Sequence, residues 1–310
     1  MTTAQAPTSV ATPPATPPAS PWLPRILLAN LAVEVLIVVT GGLVRLTGSG
    51  LGCPTWPQCV PGSFTPVRHQ AEGYHRFIEF GNRTLTGVVG IAALVVVYAV
   101  WRWAAARRDL LVPAFVVLGG VVTQAVLGGI TVRTGLNPVI VAAHFLVSMV
   151  LVGASAFLVL RQPSPPGPRA LVVPSLVERL GWATCAVAAV VLVLGTLVTG
   201  SGPHSGDADE PARLGFDPRS VSWLHADAVM LFVGLVVAVW LAARLTGATS
   251  APARAWAGVF AVTAAQGVVG YTQYFTGLPW GVVLVHMLLA TLLVVALVRA
   301  MVALRRPVVS

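Results

Sequence analysis

Gln124-Ala125-Val126-Leu127-Gly128, then Thr134-Gly135-Leu136, then His144 form a stretch that occurs twice in this chain. The second copy is Gln266-Gly267-Val268-Val269-Gly270, Thr276-Gly277-Leu278 and His286, at one constant offset of 142. Chance similarity between apolar runs would not align a glutamine, a Thr-Gly pair and a histidine together. A second correspondence frames the first. Thr47-Gly48-Ser49-Gly50 returns as Thr199-Gly200-Ser201-Gly202 at an offset of 152, and His75 corresponds to His225 at 150. Four apolar runs, each able to cross a bilayer, return each half to its starting side. The expected fold is all-α: a polytopic membrane protein whose eight transmembrane helices form two repeated four-helix bundles.

Composition agrees. The 310 residues are 56% hydrophobic and only 9% charged, with a mean hydropathy of +0.84. Soluble domains carry about a quarter charged residues. Long continuous apolar runs favour helices over a barrel. The net charge of +9 comes from arginine alone, since the chain has no lysine. Those arginines are scattered in short loops, so the surroundings expected are membrane lipid and no nucleic acid.

In chain order, residues 1–22 are rich in Pro, Ala, Thr and Ser and read as a disordered cytoplasmic tail without the basic start of a signal peptide. An N-terminal four-helix half covers 23–160, with spans near 26–46, 73–100, 110–130 and 138–160. A Pro- and Arg-rich cytoplasmic linker, 161–180, separates it from a C-terminal half, 181–303, with spans near 181–198, 221–243, 253–271 and 280–303. Residues 304–310 form a second cytoplasmic tail. Glu34 lies inside the first span, either as a packing acid paired with a neighbouring helix or as a proton or quinol group.

The arginines at positions 25, 102, 107, 108, 161, 169, 179, 244, 254, 299, 305 and 306 gather on one side, and Asp207, Asp209, Glu210 and Asp217 on the other. The positive-inside rule then puts both termini in the cytoplasm. Cys53-Pro54-Thr55-Trp56-Pro57-Gln58-Cys59 lies on the outer side, where a disulfide is permitted if the two side chains face each other. Zinc would need ligands beyond His69. Trp56 suits a loop dipping into the headgroup region.

Glu72-Gly73-Tyr74-His75-Arg76 places an acid, an imidazole and a guanidinium at the mouth of the second span. On a helix, Glu72, His75, Glu79 and Arg83 would line one face. His75, His144, His225 and His286 all lie near the outer ends of spans, two in each half. Heme iron accepts two axial imidazoles, and a helical bundle can hold a macrocycle between facing histidines. No spacing supports zinc instead. Gly128, Gly129 and Gly270 would let helices approach or make room for a porphyrin. Arg76 and Arg83 can meet heme propionates or serve as interfacial anchors.

At these residues the chain resembles the heme A synthase family. The resemblance rests on residues 42–59, Gly-Leu-Val-Arg-Leu-Thr-Gly-Ser-Gly-Leu-Gly-Cys-Pro-Thr-Trp-Pro-Gln-Cys, on Glu72-x-x-His75-Arg76, and on His144, His225 and His286. It covers about residues 24–303. It implies eight helices, a stable heme b held by His225 and His286, and heme O as substrate between His75 and His144. It also implies that Glu72 is essential to turnover, with His75 and His144 beside it in the catalytic half, and that Cys53 and Cys59 form an outer-loop disulfide. The implied reaction oxidises the C8 methyl of heme O to a formyl group by successive hydroxylations, giving heme A for terminal oxidase assembly. Heme O synthase, terminal oxidase assembly factors and an electron donor are the partners this implies, in the cell membrane. Some members carry a second cysteine pair, but residues 203–220 have none, and Cys185 reads as a small buried side chain.

Two other readings compete. A diheme electron-transfer subunit of cytochrome b type would also pair histidines between helices, but needs no acid beside one pair only. Glu72-x-x-His75 has no counterpart at Ser222-Trp223-Leu224-His225. A heme transporter would need a polar path through both leaflets, and the cytoplasmic ends show none.

Overall fold

The computed structural model describes residues 20–207 and 211–308. The N-terminal tail through residue 19, together with Asp209 and Glu210, lies outside the described residues. Among the described residues there are eight helices: α1 (Trp22–Leu46), α2 (His75–Ala104), α3 (Arg108–Arg133), α4 (Pro138–Arg161), α5 (Ser175–Ser201), α6 (Pro218–Thr246), α7 (Ser250–Phe275) and α8 (Trp280–Ala303). All but α7 are long and apolar enough to cross a membrane by length and composition. Side chains such as Ile91, Leu94, Val112, Val150 and Leu241 point outward. This is an all-α, multi-pass membrane protein.

Packing follows chain order. α1 packs on α2, α2 on α3 and α3 on α4, and α4 returns to α1. α5 packs on α6, α6 on α7, α7 on α8, and α8 touches α5. α8 also lies against α1 and α4. One core gathers Leu27, Val96, Val117 and Leu158; another gathers Phe232, Val236, Trp256 and Leu297.

The repeated Thr-Gly-Leu segments are helix stops. Gly135 and Leu136 have φ of 58° and 56°, and Gly277 and Leu278 have 77° and 60°. The Leu136 amide donates to Thr131 O at 2.8 Å, and the Leu278 amide to Gln273 O at 2.8 Å. Both bonds span five residues and close the helix with a left-handed turn. A leucine at positive φ is uncommon, and its recurrence at the matched position makes the turn part of the repeat. Starts are equally local. Asn137 caps α4 by accepting from the Val139 amide at 3.0 Å, with Pro138 at the first helical position. Asp217 does the same for α6 through Ser220, whose hydrogen bonds hold its carboxyl below the usual carboxylate range.

The linker is shorter than expected. α4 runs to Arg161 and α5 begins at Ser175, so the connection is 162–174. Within it, β1 (Arg169–Leu171) pairs antiparallel with β2 (Arg305–Pro307), which follows α8. Arg305 clamps Glu178 with bonds of 2.7 and 3.0 Å, and Asp109 joins Arg107 and Arg161. Much of the arginine at this end is thus structural.

Candidate functional site

A cavity of about 1100 Å³ runs between the helices and takes its walls from all eight of them. His144, His225 and His286 line it. A side chain at Gly128 would have its Cβ 3.5 Å from His144 Cε1. At Gly195 it would lie 3.3 Å from His225 Cε1, and at Gly270 3.4 Å from His286 Cε1. Each imidazole therefore rests edge-on against a glycine of the neighbouring helix. In all three, Nδ1 is buried with no hydrogen-bond partner. The side-chain amide of Gln124 donates to the His144 carbonyl at 2.9 Å, and that of Gln266 to the His286 carbonyl at 3.1 Å. The repeated glutamine thus fixes the helix turn that presents the histidine.

His75 is placed differently. It opens α2 and is not among the cavity-lining residues. Its Nδ1 is 2.8 Å from Ser49 Oγ, which is 2.8 Å from Thr47 Oγ1. The Tyr74 ring lies against the imidazole at a tilt, with centroids 4.0 Å apart. The expectation that Glu72 shares a helical face with His75 needs correction. Glu72 precedes α2, and Gly73, at φ 54°, turns the chain between them. The Glu72 carbonyl accepts from the His75 amide, while its carboxylate Oε2 is buried without a partner.

The cysteine loop is the most heavily tied part of the rim. Cys53 and Cys59 form a disulfide, and both are fully buried. Buried Glu79 accepts from the Cys53 amide at 2.5 Å and from Arg83 Nε at 3.0 Å. Arg83 also donates to the carbonyls of Cys53, Thr55 and Gln58. A further bond from Arg83 Nη2 to Glu79 Oε1, at 2.5 Å, brings the count to five, so every N–H of the guanidinium is used inside the protein. Arg76 keeps a buried Nε without a partner and lies over Phe77. Trp56 packs inward on α3. Its ring fills the space that Gly129 leaves on α3, where an added Cβ would come within 2.5 Å, and it lines the cavity.

Three residues of the site lay outside the sequence expectations. Ser49 holds His75. Arg45, at the end of α1, lines the cavity and donates to Thr199 O at 2.7 Å, joining the two Thr-Gly-Ser-Gly segments. Arg219 also lines it. The repeated Thr-Gly-Ser-Gly was the available signal for the first two; Arg219 carried none. Among the described residues no group of three or more His, Cys, Asp or Glu gathers as a metal cluster would.

The family comparison points the same way. A family model described as Cytochrome oxidase assembly protein matches residues 24–203. The chain belongs to that family. The match takes in the cysteine loop, the Glu72–Arg76 motif, His144 and the first repeated Thr-Gly-Ser-Gly. Relatives named Heme A synthase include one from Lysinibacillus sphaericus, 37% identical over 37% of both chains. Another, from Alkalihalophilus pseudofirmus, is 34% identical over 41% of this chain and 42% of its own. The alignments thus span about two-fifths of these relatives' lengths. One from Halalkalibacterium halodurans aligns over 79% of this chain and 82% of its own, at 27% identity. The resemblance read from the motifs is borne out.

Proposed function

We propose that this chain is a heme A synthase, oxidising the C8 methyl of heme O to a formyl group and so supplying heme A for terminal oxidase assembly. The observation that carries the reading is the set of three half-buried histidines on one cavity, each with a buried, unpartnered Nδ1 and a glycine against its ring. That cavity exceeds the 300–1,000 Å³ of an ordinary ligand pocket and suits two macrocycles, one in each of two repeated four-helix halves.

In the C-terminal half, His225 and His286 would hold heme b. Their donor type fits that group, and Gly195 and Gly270 let each ring lie close against the neighbouring helix. Heme b, when bound, supplies a route for electrons. In the N-terminal half, His144 and His75 would flank heme O. Ser49 at Nδ1 leaves Nε2 of His75 as the nitrogen free to face the substrate. Glu72, with its buried unpartnered oxygen, is the group placed to take or give a proton at the rim. Arg76, Arg45 and Arg219 are the cations left for the propionates, because Arg83 is committed to the cysteine loop. Trp56 and Pro57 close the cavity against water.

The arginine distribution and the disulfide both favour a cell-membrane protein with cytoplasmic termini and histidine sites toward the outer face. Heme O synthase, terminal oxidase assembly factors and an unidentified electron donor complete the proposed setting. The test is to purify the protein, extract its hemes and identify them by mass. Heme b with heme O or an oxidised derivative supports the synthase. Heme b alone would instead favour a diheme electron carrier of cytochrome b type.

A further inference from the structure

Glu34 has no part in the rim chemistry. It sits in the middle of α1, 2% exposed, with Oε1 enclosed and unpartnered, and it lines the cavity. Its level is set by its neighbours on the same helical face. Asn30, one turn away, donates to Ser155 of α4 at 2.9 Å. Val38, one turn the other way, packs with Met149 and Val152 of α4. Glu34 therefore stands near the level of Leu151, another cavity residue. Along α4 that level is about 10 Å from His144, at 1.5 Å per residue.

A carboxyl buried in the apolar interior without a partner is costly. Asn30 donates from its amide to Ser155, and among the described residues no donor reaches Glu34 Oε1. A ligand hydroxyl reaching this level of the cavity would supply the missing donor. The repeat shows where the requirement applies. At the offset of 152, Glu34 corresponds to Ala186 of α5 and Asn30 to Trp182. The acid belongs only to the half assigned to the substrate.

Heme O differs from heme b by one peripheral group: a hydroxylated carbon bearing an isoprenoid tail replaces a vinyl. That group lies on the macrocycle edge opposite the two propionates. With the propionates held at the cationic rim, the tail edge points down the cavity toward Glu34. We propose that Glu34 recognises this tail hydroxyl and so selects heme O over heme b in the N-terminal half. The inference rests on the proposed function. A site built to bond a substrate hydroxyl rejects an analogue lacking it strongly, because the buried partner is otherwise left unpaired.

The experiment uses the full chain in lipid nanodiscs, offered heme O, heme b and a heme O analogue lacking only the tail hydroxyl. Retained hemes are weighed by mass, and heme A formation is followed. Wild type should prefer heme O to the deoxy analogue by at least about tenfold. Glu34→Leu should abolish that preference, while Glu34→Gln, whose carboxamide oxygen still accepts, should keep most of it. Equal retention of heme O and the deoxy analogue by wild type overturns the inference whether or not any variant folds. So does an unchanged preference in Glu34→Leu. Loss of turnover in Glu34→Gln with the preference intact would make Glu34 a proton-handling group instead. Failure of wild type to convert heme O at all would strike the proposed function, which is a separate result.

Discussion

The two halves share a plan and differ first in what holds the leading histidine of each. In the first, Ser49 Oγ meets His75 Nδ1 at 2.8 Å. In the second, the corresponding Ser201 hydroxyl and His225 Nδ1 are both buried and both unpartnered. The first half also has the cysteine loop locked to α2 by Glu79 and Arg83, and Glu72 beside its histidine; the second has none of these. A histidine held by a serine keeps one ring orientation, which suits a site that must receive a ligand repeatedly in the same pose. A permanent cofactor orients its own ligands once bound. The additions to the repeat support the proposal that the N-terminal half is the working one.

The comparison breaks most decisively at Glu72. Glu72→Gln should lower heme A production by at least about 100-fold, in the range for loss of a general acid or base, with heme b content unchanged. Extracted hemes weighed at matched protein level check this, and normal heme A yield would remove Glu72 from the mechanism. Next, His225→Ala or His286→Ala should strip the low-spin heme b signal from absorbance and paramagnetic resonance spectra. Unchanged spectra in both variants would reverse the assignment of the halves.

A smaller effect is expected at the loop. Arg83→Met leaves Glu79 buried without its counter-charge and should cost about 3 kcal/mol, the low end for breaking a buried pair, since the Arg83 side chain keeps 21% exposure. A lowered unfolding temperature with heme b retained is the readout; an unshifted midpoint would show the lock to be idle. The smallest effect sharpens the comparison most. Ser49→Ala should reduce turnover about tenfold, the lower range for loss of a residue orienting a ligand histidine. Ser201→Ala, which breaks no bond, should change neither heme b content nor turnover by more than about twofold. Equal losses in the two variants would erase the distinction between the halves.

Much of this was legible in the sequence because repetition converts weak signals into strong ones. A glutamine 20 residues before a histidine means little alone; at Gln124–His144 and again at Gln266–His286 it marked a real side-chain-to-carbonyl bond. The eight helices followed from hydropathy. What stayed hidden depends on loops. Helical spacing put Glu79 and Arg83 on one face with His75, but not that the cysteine loop would descend on that face and consume every Arg83 donor. Gly52 permits that approach, since a Cβ there would fall 2.3 Å from His75 O. The positive φ of Gly73, which lifts Glu72 off α2, is equally silent in composition. The β1–β2 pairing was hidden in a Pro- and Arg-rich segment that looks like a plain connector.

That pairing bears on how the chain is built. Arg169 meets the carbonyl of Arg305, 136 residues later in the chain. During synthesis β1 emerges before any helix of the second half, and its partner strand follows only after α8. The small sheet can close only when the whole helical set has been delivered to the bilayer. It therefore acts as a seal on completed insertion, and a nascent chain stalled before α8 would expose an unpaired strand edge to whatever machinery inspects unfinished membrane proteins.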